Sequence, residues 1–179
     1  MIFNETRLEG VWLIGLDKRE DSRGAFARTF CKTEFAAHGL ETEYVQANMG
    51  SNVDVGTVRG MHYQKAPHAE VKIIRCIAGA IFDVVVDVRE GSPTYLHWFG
   101  AELSAENGLM MYVPRGFAHG YQSLSAGSTS FYMVSDFYAP GSEGGFRHDD
   151  PVVGIDWPVP ATGLSAKDLA WPLLKGAKA

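Results

Sequence analysis

The chain has 179 residues, 46% of them hydrophobic and 21% charged, and a formal net charge of −5. Such a length and balance suit one domain, residues 1–179, around a packed core, and they exclude a disordered chain. The acidic balance, with no stripe of Lys or Arg, excludes a nucleic-acid surface, and no run approaches the ~20 apolar residues of a membrane span.

In chain order, short apolar runs separated by Gly, Pro, Asn and Asp predict strands over 11–16, 25–30, 45–49, 58–64, 71–77, 81–88, 98–103, 110–113, 119–123 and 129–136. A short helix over 32–38 is expected to stop at Gly39. A second helix has Ser165 as its N-cap, with Asp168 three residues on. Ala78-Gly79-Ala80 reads as a hairpin turn. After it, Phe82, Val84, Val86 and Val88 alternate with Asp83, Val85, Asp87 and Arg89, the pattern of a half-buried antiparallel strand. Many short strands with little helix predict an all-β sandwich, jelly roll or barrel. Cys31 and Cys76 form no C-x-x-C pair, and Cys76 is expected to be inert core. The N-terminal Met1-Ile2-Phe3-Asn4-Glu5 lacks the basic start of a secretory signal, so a reducing cytoplasm is the expected location.

The densest chemistry lies in Arg59-Gly60-Met61-His62-Tyr63-Gln64, followed by Lys72. Histidine exchanges protons near neutrality, so His62 can serve as a base, ligate a metal, or sit in the core bonded to backbone. Strand alternation puts Lys72 on the face of Ile74 and Cys76, where a charge is costly unless used. Arg59 and His62 have opposite strand parity; either Gly60 marks a bulge or the arginine reaches around. Arg23 and Arg59 suit phosphate oxygens, which a guanidinium binds in bidentate fashion, with a surface ion pair as the plainer reading.

The spacing of Gly56 and His62, and of Gly108, Pro114, Gly116 and His119, resembles the two motifs of the cupin jelly roll, a double-stranded β-helix. That implies an all-β fold with a few short helices. Metal-binding cupins carry a second histidine in the first motif, where this chain has Gln64. A metal-dependent cupin enzyme using His62, Glu70 and His119 is the alternative, but an amide replaces an imidazole poorly, so no metal is expected.

More specific pieces run from about Leu8 to Leu174. They include Asp21-x-Arg23-Gly24-x-Phe26, Gln46-x-Asn48, Gly56 to Gln64, Lys72 and Gly91-Ser92-Pro93-Thr94. Later come Pro114-x-Gly116-Phe117-Ala118-His119-Gly120, Tyr132, Asp136-x-Tyr138-x-Pro140, Glu143, Gly154-Ile155-x-Trp157-Pro158 and Leu164-Ser165-x-Lys167-Asp168. In this order they resemble the dTDP-4-dehydrorhamnose 3,5-epimerase family. The resemblance implies a cofactor-free epimerase of a nucleotide-linked 4-keto-6-deoxyhexose, inverting C3, C5 or both through an enolate. It implies His62 as the base, Asp168 as the carboxylate orienting it, Tyr132 as the proton donor on the opposite face, and Lys72 at the C4 oxygen. Helix capping is the plainer role for Asp168, and strand packing the plainer role for Tyr132.

For substrate binding the resemblance implies Arg23 and Arg59 on the diphosphate, and Phe26 and Tyr138 beside the base. Gln46, Asn48, Glu143 and Lys167 would bind the nucleotide, and His119 would line the pocket. It also implies a homodimer whose N-terminal segment, with Arg23 and Phe26, reaches into the partner's site. His38, His68, His97 and His148 lack motif support and are expected on the surface or in loops. Arg28, Glu70, Met133, His148, Gly50 and Asn52 depart from the family pattern, which commonly has Glu, Gln, Lys, Trp and two serines there. These departures leave open a nucleotide other than dTDP, or inversion at one carbon alone.

Overall fold

The computed structural model describes residues 1–175; residues 176–179, part of the expected domain, lie outside the described residues. The elements are β1 (Ile2–Glu5), β2 (Trp12–Gly15), β3 (Arg19–Asp21), β4 (Gly24–Phe26), α1 (Lys32–Ala37), β5 (Gln46–Ser51), β6 (Val58–Gln64) and β7 (Lys72–Ala78). They continue with β8 (Ala80–Asp87), β9 (Trp98–Ser104), β10 (Met110–Val113), β11 (Phe117–Ser123), β12 (Thr129–Val134), β13 (Glu143–Gly145) and α2 (Ala166–Ala170).

A six-stranded sheet ordered β1-β2-β10-β7-β12-β5 packs on a five-stranded sheet ordered β13-β6-β11-β8-β9, giving the expected all-β jelly roll. Between the sheets lie Ile74, Cys76, Met111 and Val113 from one and Ile81, Val85, Leu103, Phe117 and Tyr121 from the other. Each fully buried aliphatic side chain there contributes about 2 kcal/mol. Strands β3 and β4 pair only with each other.

The Ala78-Gly79-Ala80 turn is not a hairpin. β7 belongs to one sheet and β8 to the other, so the chain crosses between layers at this corner. Gly79 has φ +66°, and a Cβ there would collide with the Ser125 hydroxyl. That hydroxyl accepts the Ala80 N–H at 2.9 Å. Two apolar runs flanking a glycine look alike whether the chain folds back or changes sheet.

Strand β8 is buried on both faces rather than half-buried. Asp83, Val85 and Asp87 are fully buried. Val84 and Val86 face another buried cluster with Met61, Leu96, Ala118, Phe146 and Val153, against which Phe82, Trp157 and Leu174 pack. The C-terminal segment thus covers the outer face of the five-stranded sheet. His148, expected on the surface or in a loop, lies in a turn but is only 7% exposed, beside Trp157 in this layer.

β1, β3 and β13 were not anticipated, being too short or too polar to alternate visibly. The strand expected over 25–30 ends at Phe26, and the chain then leads into α1. Gly39 follows α1 at φ +68°, as its position predicts.

Asp87 anchors the connection to β9. It accepts from the Arg89 backbone and guanidinium and from the Ser92 and Thr94 hydroxyls. Burial pushes its carboxyl up, but these donors outweigh burial and hold it at about 2. A carboxylate lowered on folding stabilises above its ordinary value of 3.8, and that stability fades as pH falls toward 2. Asp87→Asn is therefore expected to cost about 2 kcal/mol at pH 7 and little at pH 2, read as the gap between the two melting curves. A gap that does not narrow on acidification overturns this assignment.

Candidate functional site

The site opens between the sheets and comprises two adjoining chambers of about 430 and 350 Å³. His62, Lys72 and Tyr132 line both, and so mark the seam. Gln46, Asn48, Tyr138 and Glu143 line the first chamber; Arg59, His119, Lys167 and Asp168 line the second.

The parity conflict between Arg59 and His62 is resolved by a bulge at Gly60. His62 pairs with His119 and Arg59 with Tyr121, so β6 takes three steps where β11 takes two. The extra residue brings both side chains to the second chamber. Gly60 has φ +118°, and a Cβ there would lie 2.6 Å from the Gly120 Cα and 2.8 Å from the His119 carbonyl oxygen. The guanidinium is then held at the end of β5 and just beyond it: Nε donates to Asn52 Oδ1 and Nη2 to the Ser51 carbonyl, each at 2.9 Å. Asn52, one of the departures from the family pattern, thus aims Arg59.

His62 Nε2 lies 2.5 Å from Asp168 Oδ1. Asp168 also does what its position after Ser165 suggests. Its N–H donates to Ser165 Oγ at 3.0 Å, and that hydroxyl donates back to Oδ2 at 2.8 Å. One oxygen serves the imidazole and the other the cap, so the two roles expected of this residue coexist. Burial pushes the Asp168 carboxyl up, but the His62 ring and the Ser165 hydroxyl outweigh it and hold the group below the usual carboxylate range. An ionised carboxylate on Nε2 fixes the ring and leaves Nδ1 for chemistry.

Tyr132 sits on β12 with its phenol pushed above the ordinary range, chiefly by burial and further by Tyr121 and Glu70, against Arg59. It stays protonated well above neutrality, a condition that the expected role of proton donor requires. Lys72 faces inward from β7 with Ile74, as alternation requires, and its ammonium lies 3.0 Å from Glu70. Lys167 pairs with Glu143, lowering that carboxyl, and Gln46 accepts the Tyr138 N–H at 2.9 Å.

Arg23 and Phe26 are not in this cleft. They stand on the β3–β4 hairpin, with the Arg23 side chain 87% exposed against Asp21 and Phe26 74% exposed.

Two polar residues beside the site make contacts that the sequence does not reveal. Asp83 is buried behind His119, with Oδ1 2.8 Å from Nε2, and burial pushes its carboxyl up against the pull of His119. An aspartate amid apolar residues on β8 was the available signal, hidden because its face was read as exposed. Gln64, at the position of the second cupin histidine, ties two loops together. It donates to the His68 and Phe137 carbonyls at 3.0 and 3.2 Å and accepts the Ala139 N–H at 2.8 Å. The alternative metal set is not gathered: His62, His119 and Glu70 are turned to Asp168, Asp83 and Lys72. Among the described residues no group of three or more such side chains is placed to hold a metal ion.

Known proteins resemble this chain over nearly its whole length. The dTDP-4-dehydrorhamnose 3,5-epimerase of Sinorhizobium fredii is 43% identical over 97% of this chain and 90% of its own. The crystal structure of the Bacillus anthracis dTDP-4-dehydrorhamnose 3,5-epimerase, with TDP and PPi bound, superposes with a TM-score of 0.93 at 37% identity, covering 97% of this chain and 99% of that one. A Legionella pneumophila dTDP-6-deoxy-D-glucose-3,5-epimerase in complex with dTDP-4-keto-L-rhamnose gives 0.90 at 36% identity, covering 96% and 92%. With residues 5–176 also matching the family's own pattern, the chain belongs to the dTDP-4-dehydrorhamnose 3,5-epimerase family.

Proposed function

We propose that this chain inverts C3 and C5 of a dTDP-linked 4-keto-6-deoxyhexose by proton exchange through an enolate. The observation that carries this is the His62–Asp168 pair facing the same cleft as Lys72 and Tyr132. A C–H beside a ketone is weakly acidic, so its inversion needs a base on one face, charge stabilisation at the oxygen, and an acid on the other face. His62 takes the proton. The Lys72 ammonium meets the negative charge developing on the C4 oxygen. Tyr132 returns a proton from the opposite face, and both groups then reset by exchange with water. Tyr138 and Glu143 in the first chamber take the base, and Arg59 the diphosphate. The dTDP choice is supported by the TDP and dTDP-sugar held in the related structures.

The working unit is a homodimer of single-domain protomers. The exposed Arg23 and Phe26 of one hairpin complete the nucleotide site of the other, which accounts for a phosphate-type cation and an aromatic ring standing clear of their own cleft. The compartment is the cytoplasm, supported by two unpaired cysteines and by the absence, among the described residues, of a helix long and apolar enough to cross a membrane.

Incubation with dTDP-4-keto-6-deoxyglucose in deuterated water should place deuterium at C3 and C5, read by proton NMR. No incorporation at either carbon would falsify the epimerase reading. Mixing inactive Arg23→Ala and His62→Asn proteins should restore exchange, because a mixed dimer holds one intact site; a mixture as inactive as its parts rules out the shared site.

A further inference from the structure

Glu70 stands just ahead of β7, two residues before Lys72, and lines the first chamber. Its side chain is 9% exposed, and its Oε1 lies 3.0 Å from the Lys72 ammonium, itself on a side chain only 16% exposed. A carboxylate this far from water is costly unless paired. A lysine ammonium rides on a flexible four-carbon stem and is held in place only by what surrounds it. Here the stem leaves an apolar strand face, and the ammonium comes to rest against Glu70 where the two chambers meet.

We propose that Glu70 is a positioning residue of this site: it anchors the Lys72 ammonium at the seam, so that the cation meets the substrate's C4 oxygen already in place. This rests on the epimerase reading above. A second effect follows from the same placement. Besides Glu70, the charged and titratable groups sharing these chambers with Tyr132 are His62, Tyr63 and Arg59 from β6, Lys72 from β7, His119 and Tyr121 from β11, Tyr138, Glu143 from β13, and Lys167 and Asp168 from α2; Gln46 and Asn48 on β5 are uncharged. Of the three carboxylates lining the chambers, Glu70 is the one whose charge bears on the phenol; after burial and Tyr121, it favours the protonated, donating form. One buried anion thereby serves both the cation that holds the enolate and the acid that quenches it.

Glu70→Leu keeps much of the volume and removes both the charge and the acceptor; Glu70→Gln, the residue common in the family, removes the charge but keeps an acceptor; Glu70→Asp keeps the charge and shortens the reach. With Glu70→Leu, kcat for deuterium exchange should fall about tenfold or more while KM changes less than about threefold, because misplacement acts on the transition state. Glu70→Gln should lose less, since its amide oxygen still accepts from the ammonium. The alkaline limb of kcat should move to lower pH in both. Glu70→Asp should lose part of kcat and keep that limb in its wild-type place. Tyrosinate absorbance, with Tyr132 isolated by difference against Tyr132→Phe, should show the phenol ionising at lower pH in Glu70→Leu and Glu70→Gln. This titration needs no substrate, so it separates failure of this proposal from failure of the epimerase reading. Unchanged kcat in Glu70→Leu, or reduced kcat with both the alkaline limb and the Tyr132 titration unmoved, overturns the proposal, as does an alkaline limb that shifts equally in Glu70→Asp.

Discussion

His62→Asn is expected to slow proton exchange at the sugar carbons by about a thousandfold, the usual scale for a positioned general base. Asp168→Asn should cost about a hundredfold, because an amide keeps a partner for Ser165 yet neither fixes the imidazole tautomer nor stabilises its cation. The two side chains share one short contact, so their losses should not multiply. The double variant is expected to be no slower than His62→Asn alone. Melting temperatures near wild type for all three would separate chemistry from folding. A His62→Asn protein retaining more than a tenth of the exchange rate, or a double variant whose loss equals the product of the singles, removes the pair from the mechanism.

The second large effect concerns a residue with no side chain. Gly60→Ala would drive a Cβ against the backbone of the facing strand at both Gly120 and His119, from a φ of +118° that L-residues avoid. Strain of about 1–2 kcal/mol and overpacking of about 1–3 kcal/mol combine to roughly 3 kcal/mol, a fall in melting temperature of about 10 °C. Activity should fall further than the folded fraction, because the bulge is what presents Arg59 and His62 to one chamber. Gly127→Ala is the control: its φ of +71° carries comparable strain, but nothing lies within 4 Å of the added carbon. Equal melting temperatures for the two variants would show that the close strand approach is not limiting.

Much of this site was legible because its chemistry sits on strands with clear punctuation. The limits of β6 and β10 coincide with the runs read from sequence, and Lys72 points inward with Ile74 as alternation requires. Where reading failed, the missing information was non-local. Alternation assumes an unbroken pleat, and the bulge at Gly60 exists only because β11 brings Gly120 against it. The Gly79 corner depends on which sheet each flanking strand joins, a matter of long-range pairing. Asp83 was passed over because alternation tells two faces apart without saying what covers either. The meeting of His62 with Asp168 joins residues 106 positions apart, which no local pattern encodes; the family resemblance supplied it.

The segment that supplies Asp168 also seals the outer face of the five-stranded sheet. It is tied down by the Leu174 N–H to Asp150, by Trp98 Nε1 to the Gly154 carbonyl, and by Gln122 on both sides of the Val159 peptide. These anchors are separate from the ladder bonds of the sheets. Such a wrap can open as a unit of its own, at a lower free energy than the barrel beneath it. Were it to lift, breaking also the Thr162 bonds to Gly56 and Val58, the imidazole would lose its counter-charge while the strands of both sheets stayed paired to one another. Loss of exchange activity is therefore expected to precede unfolding on heating, and to recover on cooling if only the tail has lifted.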